Sequence, residues 1–247
     1  IALLTIKNLR KSFGGVRAVN GVSFEVKEKN IVALIGPNGA GKSTVLNLIS
    51  GNLTPDAGEI RFQGEELTNK SIQEIARKGI GRSFQTPAVF PQLTVLENVL
   101  ATLISHKRQW YSLFSTLPDG IVQEARRLLE YFGIGNYSGE LARNLAHGDK
   151  RRLEFAMCLA INPSLLLLDE PTQGMSAHET RQFIKDIQEL TRKRGVTTLL
   201  VEHDMSVVFS ISDQVIVLNR GTLLASGSPQ EVKANTAVRE AYLGNEG

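Results

Sequence analysis

Cysteine is nearly absent from this 247-residue chain, which carries one, Cys158. A single thiol excludes an internal disulfide and agrees with a reducing compartment. Cys158 lies in an apolar helical pattern, so it reads as a buried structural thiol rather than a nucleophile. An excess of either charge is also missing. Lys and Arg number 28 against 25 Asp and Glu, a formal net charge of +3. That balance is too even to argue for a nucleic-acid partner. The basic residues are scattered apart from Lys150-Arg151-Arg152 and Arg192-Lys193-Arg194, triplets expected on solvated helix faces. Long hydrophobic runs are lacking too. None approaches the ~20 residues of a membrane helix, and no signal-peptide pattern is present. A soluble chain is expected, with any membrane role supplied through a partner. Ile1 rather than Met stands first, which reads as a trimmed start. Internal repeats and low-complexity segments are absent.

What remains is 42% apolar. That suffices for one large α/β domain, or for a domain with a subdomain. The chain is organised around Ile31-Val32-Ala33-Leu34-Ile35 followed by Gly36-Pro37-Asn38-Gly39-Ala40-Gly41-Lys42-Ser43-Thr44. The apolar run has no polar alternation, as in a strand covered on both faces. Gly36, Gly39 and Gly41 remove Cβ atoms that would keep a phosphate from the backbone. Their amides form a nest for anionic oxygens, and the helix beginning near Lys42 adds its positive dipole end. Lys42 can reach the β- and γ-phosphates, and the Ser43 hydroxyl can bind Mg²⁺. On this stretch alone the chain binds a nucleoside triphosphate. A kinase, a GTPase and a transport ATPase all remain open.

Before that loop, residues 3–9 read as an edge strand, and a second alternating run carries Val19, Val22, Phe24 and Val26. Phe13 stands just before Gly14-Gly15. It can stack on a flat base or plug the gap between two strands, and both readings stand at this point. Beyond the loop helix, residues 59–63 and 80–84 read as short strands and 71–78 as a helix stopped by Gly79. From Leu93 to Ile161 the pattern is mostly helical. Thr94 and Glu97 have capping-box spacing. Trp110 is expected to pack within this block. Ile121, Ala125, Leu128, Leu129 and Phe132 form one stripe, and Leu153, Ala156, Met157 and Ala160 another, expected in the core. Leu165 to Leu168 and Thr197 to Val201 are further core strands. Ser176 and Glu179 repeat the capping-box spacing. Gln214 to Ala225 is a hairpin, and Ser228-Pro229 opens what reads as the final helix.

Ligands of an open parallel sheet bind beyond the carboxyl ends of its strands. Ile35 leads into the glycine loop, Leu168 into Asp169-Glu170, and Val201 into Glu202-His203. These three ends should therefore meet around one nucleotide. Asp169 would hold Mg²⁺, Glu170 would polarise the attacking water, and His203 would sense the γ-phosphate. His106 and His178 have no such setting and read as ordinary surface residues.

With these residues in hand, nearly the whole chain resembles the nucleotide-binding subunit of an ATP-binding cassette (ABC) transporter. The resemblance implies an α/β fold: a P-loop NTPase core of ABC type, an N-terminal antiparallel β subdomain and an inserted α-helical subdomain. It divides a single ABC ATPase domain, 1–247, into a RecA-like core with the β subdomain (1–86 and 162–247) and a helical subdomain (about 87–161). Gly36 to Thr44 matches its Walker A, Asp169-Glu170 the end of its Walker B, and His203 its switch histidine. Phe13 occupies the adenine-stacking position, and Ala18 is assigned to the nucleotide with it. Gln85 matches the Q-loop glutamine, a ligand of nucleotide and metal, and Gln173-Gly174-Met175-Ser176 the D-loop.

Leu145-Ala146-His147-Gly148-Asp149 occupies the signature position, usually Leu-Ser-Gly-Gly-Gln. Ala146 lacks the serine hydroxyl, His147 replaces a glycine, and Asp149 replaces glutamine. The helix dipole and the Gly148 amide can still bind an anion. The His147 imidazole either takes over the missing donor role or fills space in an exposed loop. Ser176 stands where the D-loop usually has aspartate. The Leu-Ala-His-Gly-Asp-Lys-Arg-Arg-Leu-Glu string is similar to the subgroup that imports branched-chain amino acids, and less closely urea or amides.

The resemblance implies ATP and Mg²⁺ as cofactors and ATP hydrolysis coupled to transport. It implies a second cassette, identical or different, that sandwiches the nucleotide. Integral membrane permease subunits, indirectly a solute-binding protein, and no nucleic acid complete the partners. The expected location is cytoplasmic, peripheral on the inner face of the cell membrane. A lipid-extracting ABC exporter cassette and a soluble non-transport ABC ATPase are the alternative functions.

Overall fold

Two β-sheets lie against one another, and a block of helices covers the far side of the second. The computed structural model describes residues 1–83, 87–107 and 117–243. Gln85 and Trp110 lie outside the described residues.

Strands β1 (Ala2–Phe13) and β2 (Val16–Lys27) form a long antiparallel hairpin closed by Phe13 opposite Val16. Strand β3 (Ile31–Ile35) runs into the glycine loop and helix α1 (Lys42–Ile49). Strand β4 (Ala57–Phe62) returns to pair with β1, and β5 (Glu65–Glu66) adds to β4. The first sheet is therefore ordered β2-β1-β4-β5. The expectation of an edge strand at residues 3–9 is corrected: β1 lies inside the sheet. Alternation reports one buried face and carries nothing about which strands sit alongside.

Helix α2 (Ile72–Arg77) starts at Ser71, where both bonds of the Ser71/Glu74 capping box form. Strand β6 (Ile80–Arg82) is three residues long. Helix α3 (Val95–Lys107) follows the Thr94/Glu97 pair, whose reciprocal bonds measure 2.7 and 3.2 Å. Helix α4 (Asp119–Tyr131) buries its predicted stripe. Helix α5 (His147–Ala160) packs on α3, α4 and β6. Strand β7 (Leu165–Asp169), helix α6 (Ala177–Arg194) and strand β8 (Thr197–Val201) come next. They lead to helix α7 (Met205–Ile211), capped by the Asp204 carboxylate, and to strands β9 (Gln214–Asn219) and β10 (Thr222–Gly227). Helix α8 (Pro229–Ala234) was expected to end the chain's structure, but α9 (Thr236–Leu243) follows it. Asn235 ends one helix, and its side chain accepts from the Val238 amide at 3.2 Å to start the next.

The second sheet is ordered β10-β9-β3-β8-β7-β6, with β3 parallel to both β8 and β9. Strands β3, β7 and β8 bury both faces, which explains their unbroken apolar runs. Val32 and Leu34 join the core shared with the first sheet. Ile31, Ala33 and Ile35 join the core shared with the helices.

Two expectations about α5 change. Arg151 was placed on a solvated face, yet it is fully buried and pairs with Glu154 at 3.1 Å. α5 buries most of its circumference, and a guanidinium tolerates that only with a countercharge beside it. Met157, expected in the core, is half-buried at a groove between α2, β6 and α5.

Candidate functional site

The glycine loop is held by backbone. Gly41 caps α1 in the left-handed region at φ +98°, and a Cβ there would run into the Ala18 carbonyl oxygen. The loop closes on itself through Ala40 N–H to Pro37 O at 3.1 Å. Gly221 N–H donates to Ala40 O, also at 3.1 Å, and ties the loop to the β9–β10 turn. Around Gly39 (φ +79°) a Cβ would meet nothing within 4 Å, so the loop's outer side is open. The first-turn amides of α1 have no intrahelical acceptor and add the helix's positive end. Lys42 is only 6% exposed. Its ammonium donates to Gly36 O at 2.7 Å and Pro37 O at 3.1 Å. Burial pushes its pKa down, while the Glu170 and Asp169 carboxylates pull it back up. Asn38 is exposed, and Thr44 is half-buried in the first turn of α1.

The strand ends do converge. Asp169 closes β7 with Oδ1 3.4 Å from the Ser43 hydroxyl, which donates to it. Burial pushes the Asp169 carboxyl up, and Arg82 opposes this most. Glu170 follows in the left-handed region at φ +48°, unusual for a residue with a Cβ. Its amide is held by Val201 O at 3.0 Å, and its Oε1 lies 2.7 Å from His203 Nε2. Backbone strain of this kind collects at functional sites. Lys42, Ser43, Asp169, Glu170 and His203 thus come together at one end of the second sheet, as the sequence predicts.

Ser43 and Asp169 are hard oxygen donors facing one another, the chemistry Mg²⁺ prefers. Among the described residues no group of three or more His, Cys, Asp or Glu could hold a metal. The pair fits an ion that completes its shell from water and phosphate oxygens rather than from a protein cage.

Phe13 stands at the end of β1 and is 47% exposed, with Lys11 Nζ 5.8 Å from its ring centre. Ala18 contributes its carbonyl to the glycine packing described above.

Leu145–Asp149 is assembled differently. The sequence reading put a loop here, but α5 begins at His147, so His147, Gly148 and Asp149 form its first turn. Leu145 is buried, Ala146 and His147 are exposed. Ala146 sits at the N-cap and offers no side-chain cap. Asp149 pairs with Arg152 at 3.4 Å. The His147 ring lies beside Gly174, and a Cβ on Gly148 would run into the Glu179 carboxylate. Among the described residues, no hydrogen bond or ion pair joins this stretch to the glycine loop.

Three residues gained roles the sequence reading had not assigned. Glu202, 4% exposed, accepts from the Thr172 amide at 3.0 Å and its hydroxyl at 2.7 Å, pinning the turn after Glu170. Glu179 was legible as a capping residue but not as the neighbour of Gly148. Arg82 reaches Asp169 Oδ2 at 3.7 Å. A charged residue closing an apolar strand was the available signal for it.

The family model described as ABC transporter matches residues 19–173. The chain belongs to the ABC transporter family. A second family, branched-chain amino acid ATP-binding cassette transporter, matches residues 222–247 of the cassette. The cassette is 42% identical to the high-affinity branched-chain amino acid transport ATP-binding protein LivG of Salmonella typhimurium, over 98% of each chain. It is 40% identical to BraF of Pseudomonas aeruginosa, a protein of the same description, with the same coverage. A solved ABC transporter cassette in its ADP conformation superposes with a TM-score of 0.88 at 31% identity, covering 99% of this chain and 100% of that one. A dimeric bacterial ABC transporter cassette gives 0.81 at 26% identity, covering 92% and 98%. As a family member the cassette is a nucleotide-binding ATPase of P-loop α/β fold. No helix among the described residues is long and apolar enough to cross a membrane.

Proposed function

We propose that the cassette hydrolyses ATP to drive uptake of branched-chain amino acids through separate membrane subunits. The observation that carries this is the near-full-length likeness to LivG and BraF, joined by the family match at residues 222–247. A lipopolysaccharide export ATP-binding protein, LptB of Haemophilus influenzae, is 33% identical over 100% of this chain and 99% of its own. It favours the exporter as the second reading, at lower identity.

Residues Gly36 to Thr44 cradle the phosphates, with Lys42 on the outer ones and Phe13 and Ala18 at the base. Ser43 and Asp169, together with Gln85, would hold Mg²⁺, whose charge would offset that of the phosphate oxygens. Glu170 accepts the proton of the attacking water, and His203, 2.7 Å away, holds that carboxylate and reads the terminal phosphate. Leu145, Ala146, His147, Gly148 and Asp149 face the nucleotide of a second cassette. The exposure of Ala146 and His147 at a helix N-terminus, and the lack of any hydrogen bond or ion pair from this stretch to the chain's own glycine loop among the described residues, support that assignment. ATP then favours the closed pair, and hydrolysis releases it.

The helical block, residues 87–161, grips the membrane partner. The groove lined by Ile72, Ile75, Ala88, Thr102 and Met157, between this block and the core, supports that reading. The cassette accordingly works on the inner face of the membrane, in the cytoplasm.

The test is Glu170→Gln. Binding survives while water activation is lost, so ATP should trap a dimer seen by gel filtration or light scattering. Cells carrying the variant should lose uptake of labelled leucine. A variant that stays monomeric at high ATP would contradict the sandwich. Unimpaired leucine uptake in cells with no other copy would contradict the substrate.

A further inference from the structure

Asp169 is gripped from both sides. Its Oδ1 faces the Ser43 hydroxyl at 3.4 Å, and its Oδ2 faces Arg82 Nη2 at 3.7 Å. The pair is nearly dry, with side-chain exposures of 8% for Arg82 and 10% for Asp169. The other arm of the same guanidinium is anchored elsewhere. Nη1 donates to Leu46 O at 3.2 Å, in the last turn of α1, and to the hydroxyl of Ser50, the residue that caps that helix's C-terminus. The Arg82 carbonyl accepts from the Cys158 thiol on α5 at 3.2 Å. Arg82 and Ser50 also line the groove between the core and the helical block.

We infer that Arg82 is a positioning residue for magnesium: it holds the Asp169 carboxylate so that one oxygen stays turned toward Ser43. A carboxylate on a short side chain can present either oxygen, and its rotamer is set by what each oxygen meets. The planar fork of arginine can bind the α1 end with one arm and the carboxylate with the other, which lysine cannot do. Groups that orient metal ligands in this way change metal affinity by ~10–100-fold when removed. The guanidinium is thus a strut from the far end of α1, which begins at Lys42 and Ser43, to the carboxylate opposite Ser43.

The inference rests on the proposed role of Asp169 as a magnesium ligand, so both residues are tested together. All variants are made in the Glu170→Gln background, which separates binding from turnover. Binding of a fluorescent ATP analogue is titrated with Mg²⁺ and repeated in excess EDTA. Arg82→Gln should raise the half-saturating Mg²⁺ concentration by ~10-fold or more, while binding in EDTA changes less than ~2-fold. Arg82→Lys should recover part of the loss, and Ser50→Ala should give a smaller shift in the same direction. These two keep the test decisive if Arg82→Gln does not fold.

An Asp169→Asn shift in Mg²⁺ demand without an Arg82 shift overturns the positioning role alone. No shift in Asp169→Asn overturns the ligand assignment, and the positioning role with it. Tighter Mg²⁺ binding in Arg82→Gln would mean that the guanidinium merely repels the dication. Equal weakening with Mg²⁺ and with EDTA would mean that it merely supports the fold. Either result overturns the inference.

Discussion

The glycine loop and the Leu145–Asp149 turn both open a helix, yet they are built in opposite ways. The loop follows a strand buried at all five positions, and backbone groups of Ala18, Leu218 and Gly221 hem it in. The turn at Leu145–Asp149 presents two exposed residues, Ala146 and His147. Its support comes from side chains, with the His147 ring against Gly174 and the Glu179 carboxylate against Gly148. Backbone against backbone fixes geometry without any second molecule. Side-chain tips can give way. The first construction suits a phosphate cradle preformed within one chain, and the second suits a face that closes on a neighbour.

The same substitution at the two helix starts would break or sharpen that contrast. In Gly41→Ala the methyl meets an immovable carbonyl, and φ +98° disfavours any L-residue. The positive φ costs ~1–2 kcal/mol, and the overpacking costs ~1–3 kcal/mol more. A stability loss of about 3 kcal/mol is expected, and ATP binding by the single chain should disappear. In Gly148→Ala the methyl meets only a movable carboxylate. Alanine regains ~0.5–1 kcal/mol of helix propensity, which offsets much of the disturbed cap. Stability should stay within ~1 kcal/mol. ATP binding by dilute single chains should be unchanged, while the ATP-trapped dimer of Glu170→Gln should fail to form. Denaturant melts and calorimetric titration read both effects. If Gly148→Ala weakens single-chain binding as Gly41→Ala does, the two ends are not different in kind.

The same contrast decided what was legible beforehand. β3, β7 and β8 are buried on both faces, and unbroken apolar runs announce that directly. The polar residues closing those runs are therefore legible as neighbours at one sheet end. The capping pairs read at Thr94/Glu97 and Ser176/Glu179 both form, because local bonds depend on local spacing. What depends on remote neighbours was not legible. β1 became an inner strand only because β4 returned to its free side. Arg151 went into the core only because Glu154 lies beside it and three elements enclose α5. Arg82 is one charge at the end of a short strand, and nothing local ties it to Asp169, 87 positions later in the numbering.

Phe13 carries the next effect. The residue is 47% exposed at the end of a hairpin strand, so it contributes little to the fold. Phe13→Ala should change stability by less than ~0.5 kcal/mol. Stacking of a base on an aromatic ring is worth ~1–3 kcal/mol, so ATP affinity should fall by about that amount. Phe13→Trp should restore it. A large loss of stability with unchanged affinity would instead make the ring a plug between β1 and β2.

The smallest effect concerns the link between the exposed turn and the D-loop stretch. Ser176 Oγ accepts from the Glu179 amide at 3.3 Å, and Glu179 Oε2 accepts from the Ser176 amide at 2.8 Å. The same carboxylate lies against Gly148. Ser176→Ala removes one of these two bonds, at ~1 kcal/mol, which lowers Tm by ~2–4 °C in a chain of this size. Ser176→Asp keeps an acceptor at the N-cap and adds negative charge at the helix's positive end. It should hold Tm at or above that of the parent. The two variants separate packing from signalling. If the cap serves only α6, ATP-trapped dimer yield follows Tm in both. If Glu179 carries the position of the D-loop to Gly148, Ser176→Ala lowers dimer yield beyond what its Tm accounts for. In that case the side-chain construction of this end is itself the part that moves.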